Sequence, residues 1–239
     1  MKVSILKISD FSEVDINKIK QYISEEKRRK VDKFFKREDK LRGIYGELLI
    51  RKIIIDKLKI NNKDIKFQMN KYGKLYLKDI ENLYFNISHS EEYVVCCLDN
   101  KPVGIDIEMI KPIEIKEIVE NFFTISEQNY ILGKNTLTTS KEITNKFYEI
   151  WTLKESFIKC VGKGLYIPLN EFNIYFDKKG EINIDTKKTE NKYFFKQITI
   201  DKAYKTSICS QGSIKINELN YIMPKQLINE FYYKYGNFE

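Results

Sequence analysis

The chain has 239 residues, 42% of them hydrophobic and 13% aromatic, and 42 Lys and Arg outnumber 34 Asp and Glu for a formal net charge of +8. A globular chain this long buries about 70% of the surface that its unfolded form exposes, so the composition supports a packed core and excludes wholesale disorder. The positive balance suits a polyanionic partner, whether nucleic acid, phosphorylated ligand, anionic membrane or acidic protein, without choosing among them. No apolar run approaches the ~18 residues that a membrane span needs; Ile53-Ile54-Ile55 gives way at once to Asp56 and Lys57. The N-terminus, Met1-Lys2-Val3-Ser4-Ile5, lacks the apolar stretch and cleavage site of a signal peptide. Cys96, Cys97, Cys160 and Cys209 form no CxxC, which predicts reduced thiols in a cytoplasmic protein. The single histidine, His89, excludes a multi-His zinc site and argues against Cys–His catalysis.

Residues 2–8 alternate as a first strand. Asp15 or Asn17 is placed to cap a helix running to about residue 35, with Ile19, Ile23, Val31, Phe34 and Phe35 as its apolar marks. A second helix is predicted over residues 37–58, where Ile44, Leu48, Ile55 and Leu58 recur at helical spacing. Leu41, Tyr45, Leu49 and Lys52 widen its stripe, and Asn61-Asn62 ends it. Short strands follow at residues 65–68, 75–77, 84–88, 93–99 and 103–108, with turns at 70–73 and 99–102. Pro112 breaks the chain, and residues 111–123, from Lys111 to Phe123, form a loop that leads into or contains a helix. Helical patterns cover residues 127–132 and 142–161, the second stopped by Gly162-Lys163-Gly164. Strands at 174–176, 182–184, 193–200 and 204–210, a hairpin turn at 177–180 and a tail helix over 224–235 complete the chain. Helices followed by strands thus occur twice, which predicts an α+β protein of two lobes, residues 1–103 and 104–239. No repeat of 20–50 residues is evident, and no Pro-, Gly- or Ser-rich linker separates the lobes, so they are expected to share an interface.

Four segments carry candidate chemistry. In Gly104-Ile105-Asp106-Ile107-Glu108, the two carboxylates share one face of a strand while the isoleucines face the other way. Neighbouring carboxylates repel unless water, a base or a cation screens them. A divalent metal is the usual reason for such a pair; a solvated strand face beside Lys101 and Lys111 is the alternative. Trp151, Glu155 and Lys159 fall at i, i+4 and i+8 on one helix stripe, either as a functional row or as a core Trp with a surface Glu–Lys pair. Asn86-Ile87-Ser88-His89-Ser90 offers hydroxyls and an imidazole able to donate to phosphate oxygens, although a lone His is often structural. The run Lys27-Arg28-Arg29-Lys30, followed by Lys33, Lys36, Arg37 and Arg42, is a phosphate clamp or a solvated basic face. No Gly-x-Ser-x-Gly elbow, Walker A loop or Gly-x-Gly-x-x-Gly occurs, which argues against serine hydrolases and against P-loop or Rossmann nucleotide binding.

In this order and at these separations the segments resemble the Sfp-type 4′-phosphopantetheinyl transferases. The resemblance rests on Gly-Ile-Asp-Ile-Glu, on Trp-x-x-Lys-Glu-Ser-x-x-Lys-x-x-Gly-x-Gly-Leu from Trp151 to Leu165, and on Phe-Asn-Ile-Ser-His-Ser from Phe85 to Ser90. Ile23-Ser24-Glu25-Glu26-Lys27-Arg28 and Tyr72-Gly73-Lys74 also fit it. It spans about residues 20–170; the Trp151 motif is its most specific part, and nothing beyond about Phe172 is diagnostic. It implies two similar α+β lobes related by pseudo-twofold symmetry, with coenzyme A in the cleft between them. It implies transfer of the 4′-phosphopantetheine arm to a serine hydroxyl of an apo acyl, peptidyl or aryl carrier protein, releasing adenosine 3′,5′-bisphosphate. By position, Asp106, Glu108 and Glu155 would hold Mg²⁺, or Mn²⁺ in its place, on the pyrophosphate. Lys159 would lie near the phosphate where leaving-group charge develops. Lys27, Lys30, Ser88 and His89 would bind coenzyme A phosphates, and Lys74 would lie near the adenine end.

Glu155 is also the candidate general base for the carrier serine, directly or through a water. Gly43 departs from the family pattern, which has a hydroxyl residue there, so a side-chain contact to the 3′-phosphate is missing unless a backbone N–H replaces it. Residues 111–123 are the candidate carrier-docking loop, in which Phe122 and Phe123 are either apolar contacts or core. A monomer is expected, because two lobes in one chain can form the cleft, and neither a nucleic acid nor a membrane is an expected partner. The competing readings are a basic nucleic-acid module, for which no RNP, KH or zinc motif speaks, and another metal-dependent phosphotransfer enzyme such as a nuclease.

Overall fold

The computed structural model describes residues 1–8, 14–133, 138–187 and 191–235. In chain order the elements are β1 (Lys2–Lys7), α1 (Ile16–Ile19), α2 (Glu25–Asp32), α3 (Arg37–Leu58), β2 (Phe67–Met69), β3 (Leu75–Leu77), β4 (Tyr84–Ser90), β5 (Tyr93–Asp99) and β6 (Val103–Met109). Then follow α4 (Ile115–Phe122), α5 (Ile125–Leu132), α6 (Ser140–Val161), β7 (Phe172–Phe176), β8 (Ile182–Thr186), β9 (Phe194–Gln197), β10 (Tyr204–Ser210), β11 (Leu219–Tyr221) and α7 (Pro224–Tyr233). Packing divides the chain into two units. The first comprises Met1–Asn70, Leu75–Asn100 and the chain from Ile216; the second comprises Lys71–Lys74 and Lys101–Lys215.

In the first unit, four strands pair in the order β11-β1-β5-β4. β1 is antiparallel to β5, with Ser4 opposite Cys96, and parallel to β11, with Ser4 opposite Asn220. The tail from Ile216 therefore folds with the first unit, not with the second lobe in which the sequence placed it. A three-residue strand is too short to signal itself by alternation; it exists because β1 has an open edge for it. β5 is buried along nearly its whole length, as the apolar run Tyr-Val-Val-Cys-Cys-Leu requires of a central strand. α3 packs on β4 and β5. It is apolar almost all round, so it lies in the core and does not border it.

Two charges inside that helix are paired: Arg51 Nε donates to Glu47 Oε1 at 2.8 Å, and both side chains are about 5% exposed (5% and 6%). Glu47 also accepts from the backbone N–H and the hydroxyl of Ser24. That anchor explains why the predicted single helix over residues 15–35 is broken. Ile23 and Ser24 are extended, and Ser24 caps a new helix by accepting from Lys27 N. Phe34 and Phe35, read as marks of the helical core face, lie beyond α2 and are exposed, Phe35 fully so.

In the second unit, β6, β10 and β9 form one antiparallel sheet and β7–β8 a separate hairpin. α6 starts at a capping box formed by Thr139 and Glu142, ends at Gly162 in the left-handed region (φ 75°), and packs on β6 and β10. The approach is close. A Cβ at Gly104 on β6 would collide with the Ser156 carbonyl oxygen and the Cys160 amide of α6. Thr152 and Ser207 hydroxyls meet at 2.8 Å across the same interface. Gly104→Ala is therefore expected to push α6 off the sheet at a cost of about 1–3 kcal/mol or more. A urea midpoint unchanged from wild type would contradict that packing.

Candidate active site

The second unit gathers four of the predicted residues. Asp106 and Glu108 lie on β6, opposite Ser207 and Lys205 of β10. Asp106 is only 1% exposed, so the solvated-face alternative does not describe it. Ile105 and Ile107 fill the other face of the strand and are wholly buried. Glu155 and Lys159 come from successive turns of α6, and each acts on the other's charge. Lys159 Nζ donates to Asp106 Oδ1 at 2.5 Å, joining α6 to β6. Trp151, the third member of the stripe, is half-buried against Phe123 and Phe147 and serves as a core anchor.

The electrostatics describe one cluster. Burial alone would lower the pKa of Lys159, but the carboxylates of Asp106, Glu155 and Glu108 outweigh it and hold the ammonium above its ordinary value. Burial raises the pKa of Glu155, Asp106 adds to that rise, and Lys159 opposes it. Among the described residues, no three His, Cys, Asp or Glu side chains form a ready metal cage. Asp106 bonds the Lys159 ammonium, and the charges of Glu155 and Glu108 act on that ammonium as well. All their donors are oxygen and their net charge is negative, which is the donor chemistry of a hard divalent cation. The cluster already accommodates one cationic group.

Lys74 also belongs to the second unit. Its ammonium donates to the carbonyls of Val103 (3.2 Å), Lys159 (2.5 Å) and Cys160 (3.0 Å). A positive charge on the last carbonyls of α6 suits the helix dipole and fixes the turn that presents Lys159. Its expected place near an adenine is thus joined by a structural task that the sequence did not suggest.

The first unit carries the rest. Lys27 and Lys30 lie one turn apart on α2. Lys27 is half-buried, and burial lowers its pKa, with the Lys30 ammonium pushing the same way against Glu47 and Glu26. Lys30 is exposed and pairs with Glu26 at 2.8 Å. Ser88 is buried and His89 exposed near the end of β4. The space over Gly43 is taken: a Cβ there would lie 3.2 Å from Val31 Cγ2 and 3.6 Å from Lys27 Cε. A hydroxyl residue at that position would require Val31 to shift by a few tenths of an ångström, while Lys27 would lie in ordinary contact.

Residues 111–123 split on folding. Lys111, Pro112 and Ile113 are exposed, α4 takes the remainder, Phe122 is 52% exposed and Phe123 is core at 3%. Beside this segment a groove of about 440 Å³ is lined by Lys111, Lys141, Lys202, Thr144 and Asn145. The four cysteines are free and buried. Among the described residues, no helix is long and apolar enough to cross a membrane.

Two supporting residues escaped the sequence reading. Lys154, adjacent to Glu155, is wholly buried and donates to Glu127 Oε1 at 2.5 Å and to the Phe172 carbonyl at 2.8 Å. Glu127 further accepts from the backbone amides of Ile174 and Thr124, tying α5, α6 and β7 together. A signal existed: Lys154 stands four residues from both Ile150 and Ile158, which are core, so its own position faces the core.

Comparisons with known proteins identify the family. Residues 102–209 match the 4′-phosphopantetheinyl transferase superfamily and residues 11–100 match the 4′-phosphopantetheinyl transferase N-terminal family. The chain is 36% identical over 199 residues to the 4′-phosphopantetheinyl transferase Sfp of Bacillus subtilis (strain 168), covering 83% of this chain and 87% of that protein. It is 39% identical over 216 residues to the 4′-phosphopantetheinyl transferase gsp of Aneurinibacillus migulanus, covering 90% and 88%. Among solved structures, a holo-(acyl-carrier-protein) synthase from Bacillus anthracis in complex with coenzyme A aligns with a TM-score of 0.39 at 23% identity, over 46% of this chain and 93% of that one. With two relatives above 30% identity along most of its length, this chain belongs to the Sfp-type 4′-phosphopantetheinyl transferases, a family of transferases.

Proposed function

We propose that the chain transfers the 4′-phosphopantetheine arm of coenzyme A to a serine hydroxyl of an apo acyl, peptidyl or aryl carrier protein and releases adenosine 3′,5′-bisphosphate. The observation that carries this is the Lys159–Asp106 bond joining α6 to β6, with Glu155 and Glu108 acting on the same ammonium, in a chain of this family. Asp106, Glu108 and Glu155 would hold Mg²⁺ in that cluster, where the ion would neutralise pyrophosphate charge. Lys27, Lys30, Ser88 and His89 would bind the phosphates of coenzyme A. Glu155 would accept the proton of the carrier serine, directly or through a water. As the serine Oγ bonds to the β-phosphorus, the bond to the 3′,5′-ADP oxygen breaks, and Lys159 faces the charge that develops there. Buried, reduced cysteines fit a cytoplasmic enzyme.

The carrier would dock on residues 111–123 and the adjoining groove, where Ile113 and Phe122 offer apolar surface and Lys111, Lys141 and Lys202 offer charge. The test is mass spectrometry of several apo carrier proteins incubated with coenzyme A and Mg²⁺. Each modified carrier gains the mass of one phosphopantetheine; no gain on any carrier refutes the assignment. On a carrier that is modified, Phe122→Ser with Lys141→Glu should raise KM for the carrier by about 10-fold and leave KM for coenzyme A unchanged. Equal effects on both substrates would remove the docking assignment.

A further inference from the structure

The first unit contains a second basic feature, separate from Lys27 and Lys30. A cavity of about 560 Å³ beside α2 is walled by Arg28, Arg51, Lys63, Lys66 and Lys78, and no carboxylate lines it. Its size falls within the range of roughly 300–1,000 Å³ typical of small-molecule sites. Arg51 is already neutralised by Glu47, and its Nη1 serves the backbone and side chain of Asn62. Among the described residues, no salt bridge balances the other four. The salt bridges on this unit's surface use other lysines, such as Lys7, Lys20 and Lys30. Arg28 Nε is buried with no hydrogen-bond partner. A buried guanidinium N–H without an acceptor is costly, and like charges around one concavity repel, unless an anion enters.

Gln21 and Gln68 also line the cavity, and their amides are hydrogen-bond donors. Such a wall suits an oxyanion and not an apolar ligand, and the planar fork of an arginine matches phosphate oxygens in particular. We propose that this cavity binds a small phosphate-bearing anion, with Arg28 as the central fork and Lys63, Lys66 and Lys78 around it. Lys27 and Lys30 share α2 with Arg28 but do not line the cavity, so the site is additional to the coenzyme A phosphates assigned above.

The test is isothermal titration of the full chain with inorganic diphosphate, without divalent metal and with coenzyme A saturating. Coenzyme A binding is measured first in its own titration, so a failure of that assignment is seen separately. The expected result is one saturable diphosphate site. Its affinity falls at least about 10-fold in Arg28→Gln and in Lys66→Ala/Lys78→Ala, while the coenzyme A affinity of the lysine variant is unchanged. The two lysines are exposed, so that variant keeps the test informative if Arg28→Gln does not fold. Absence of saturable binding overturns the proposal. So does equal affinity in wild type and the lysine variant, or a signal that added salt abolishes equally in both.

Discussion

Glu155→Gln is expected to slow labelling of a carrier protein by about 10²–10⁴-fold without lowering the thermal midpoint. Gln keeps the shape of the side chain and removes its charge and its basicity. The folded protein does not favour that charge: burial raises the pKa of Glu155, and the Asp106 carboxylate adds to the rise. A carboxylate whose folded pKa lies above its unfolded value contributes no stability at neutral pH, so neutralising it should leave the fold equally or more stable. Loss of rate with retained stability would separate a chemical role from a structural one. Full activity in Glu155→Gln would exclude Glu155 both as base and as a charge the reaction needs. The same assay with Asp106→Asn probes a different link, because that change also removes the charge that Lys159 pairs with.

The second large effect is on stability. Lys154→Met should cost about 3–5 kcal/mol, the usual penalty for removing one partner of a buried ion pair. Both side chains of the Lys154–Glu127 pair are 0% exposed. Glu127→Leu should cost at least as much, because it also strands the amides of Ile174 and Thr124. Urea unfolding at constant m measures both. A change under about 1 kcal/mol in either would mean that the pair is not buried in solution.

A pH dependence accompanies this. Burial pushes the Lys154 ammonium down to about 8, against the pull of Glu127. Between that value and the ordinary lysine pKa of the unfolded chain, the unfolded state binds the extra proton, so stability should rise with pH across that window. Lys154→Met should lack that rise. Lys154 precedes Glu155 on α6, so the same pair positions the helix turn on which the proposed base sits.

Much of the site was legible because its determinants are local. Carboxylates at i and i+2 of a strand share a face, and residues at i, i+4 and i+8 share a helix stripe, whatever the rest of the chain does. Asp106 with Glu108, and Glu155 with Lys159, followed from spacing alone. So did α3 and the C-terminal end of α6, where Gly162 supplies the left-handed residue that stops the helix. The first helix was overextended because Ser24 is an ordinary helical residue by propensity; its capping role depends on Glu47, which lies 23 residues away. Phe34 and Phe35 misled because apolar residues mark a core face only where a core exists to receive them.

By itself, then, the sequence determined the longer elements, the candidate chemistry and the family, since each is written in short-range periodicity and motif. Only the tertiary structure decided that Lys159 bonds to Asp106, 53 residues away. It also decided that Gly104 is the contact point of α6, that Lys154 is buried, and that the tail closes the edge of β1. These outcomes depend on which surfaces meet and what they exclude from water. Burial and charge pairing are properties of those meetings, and no window along the chain contains them.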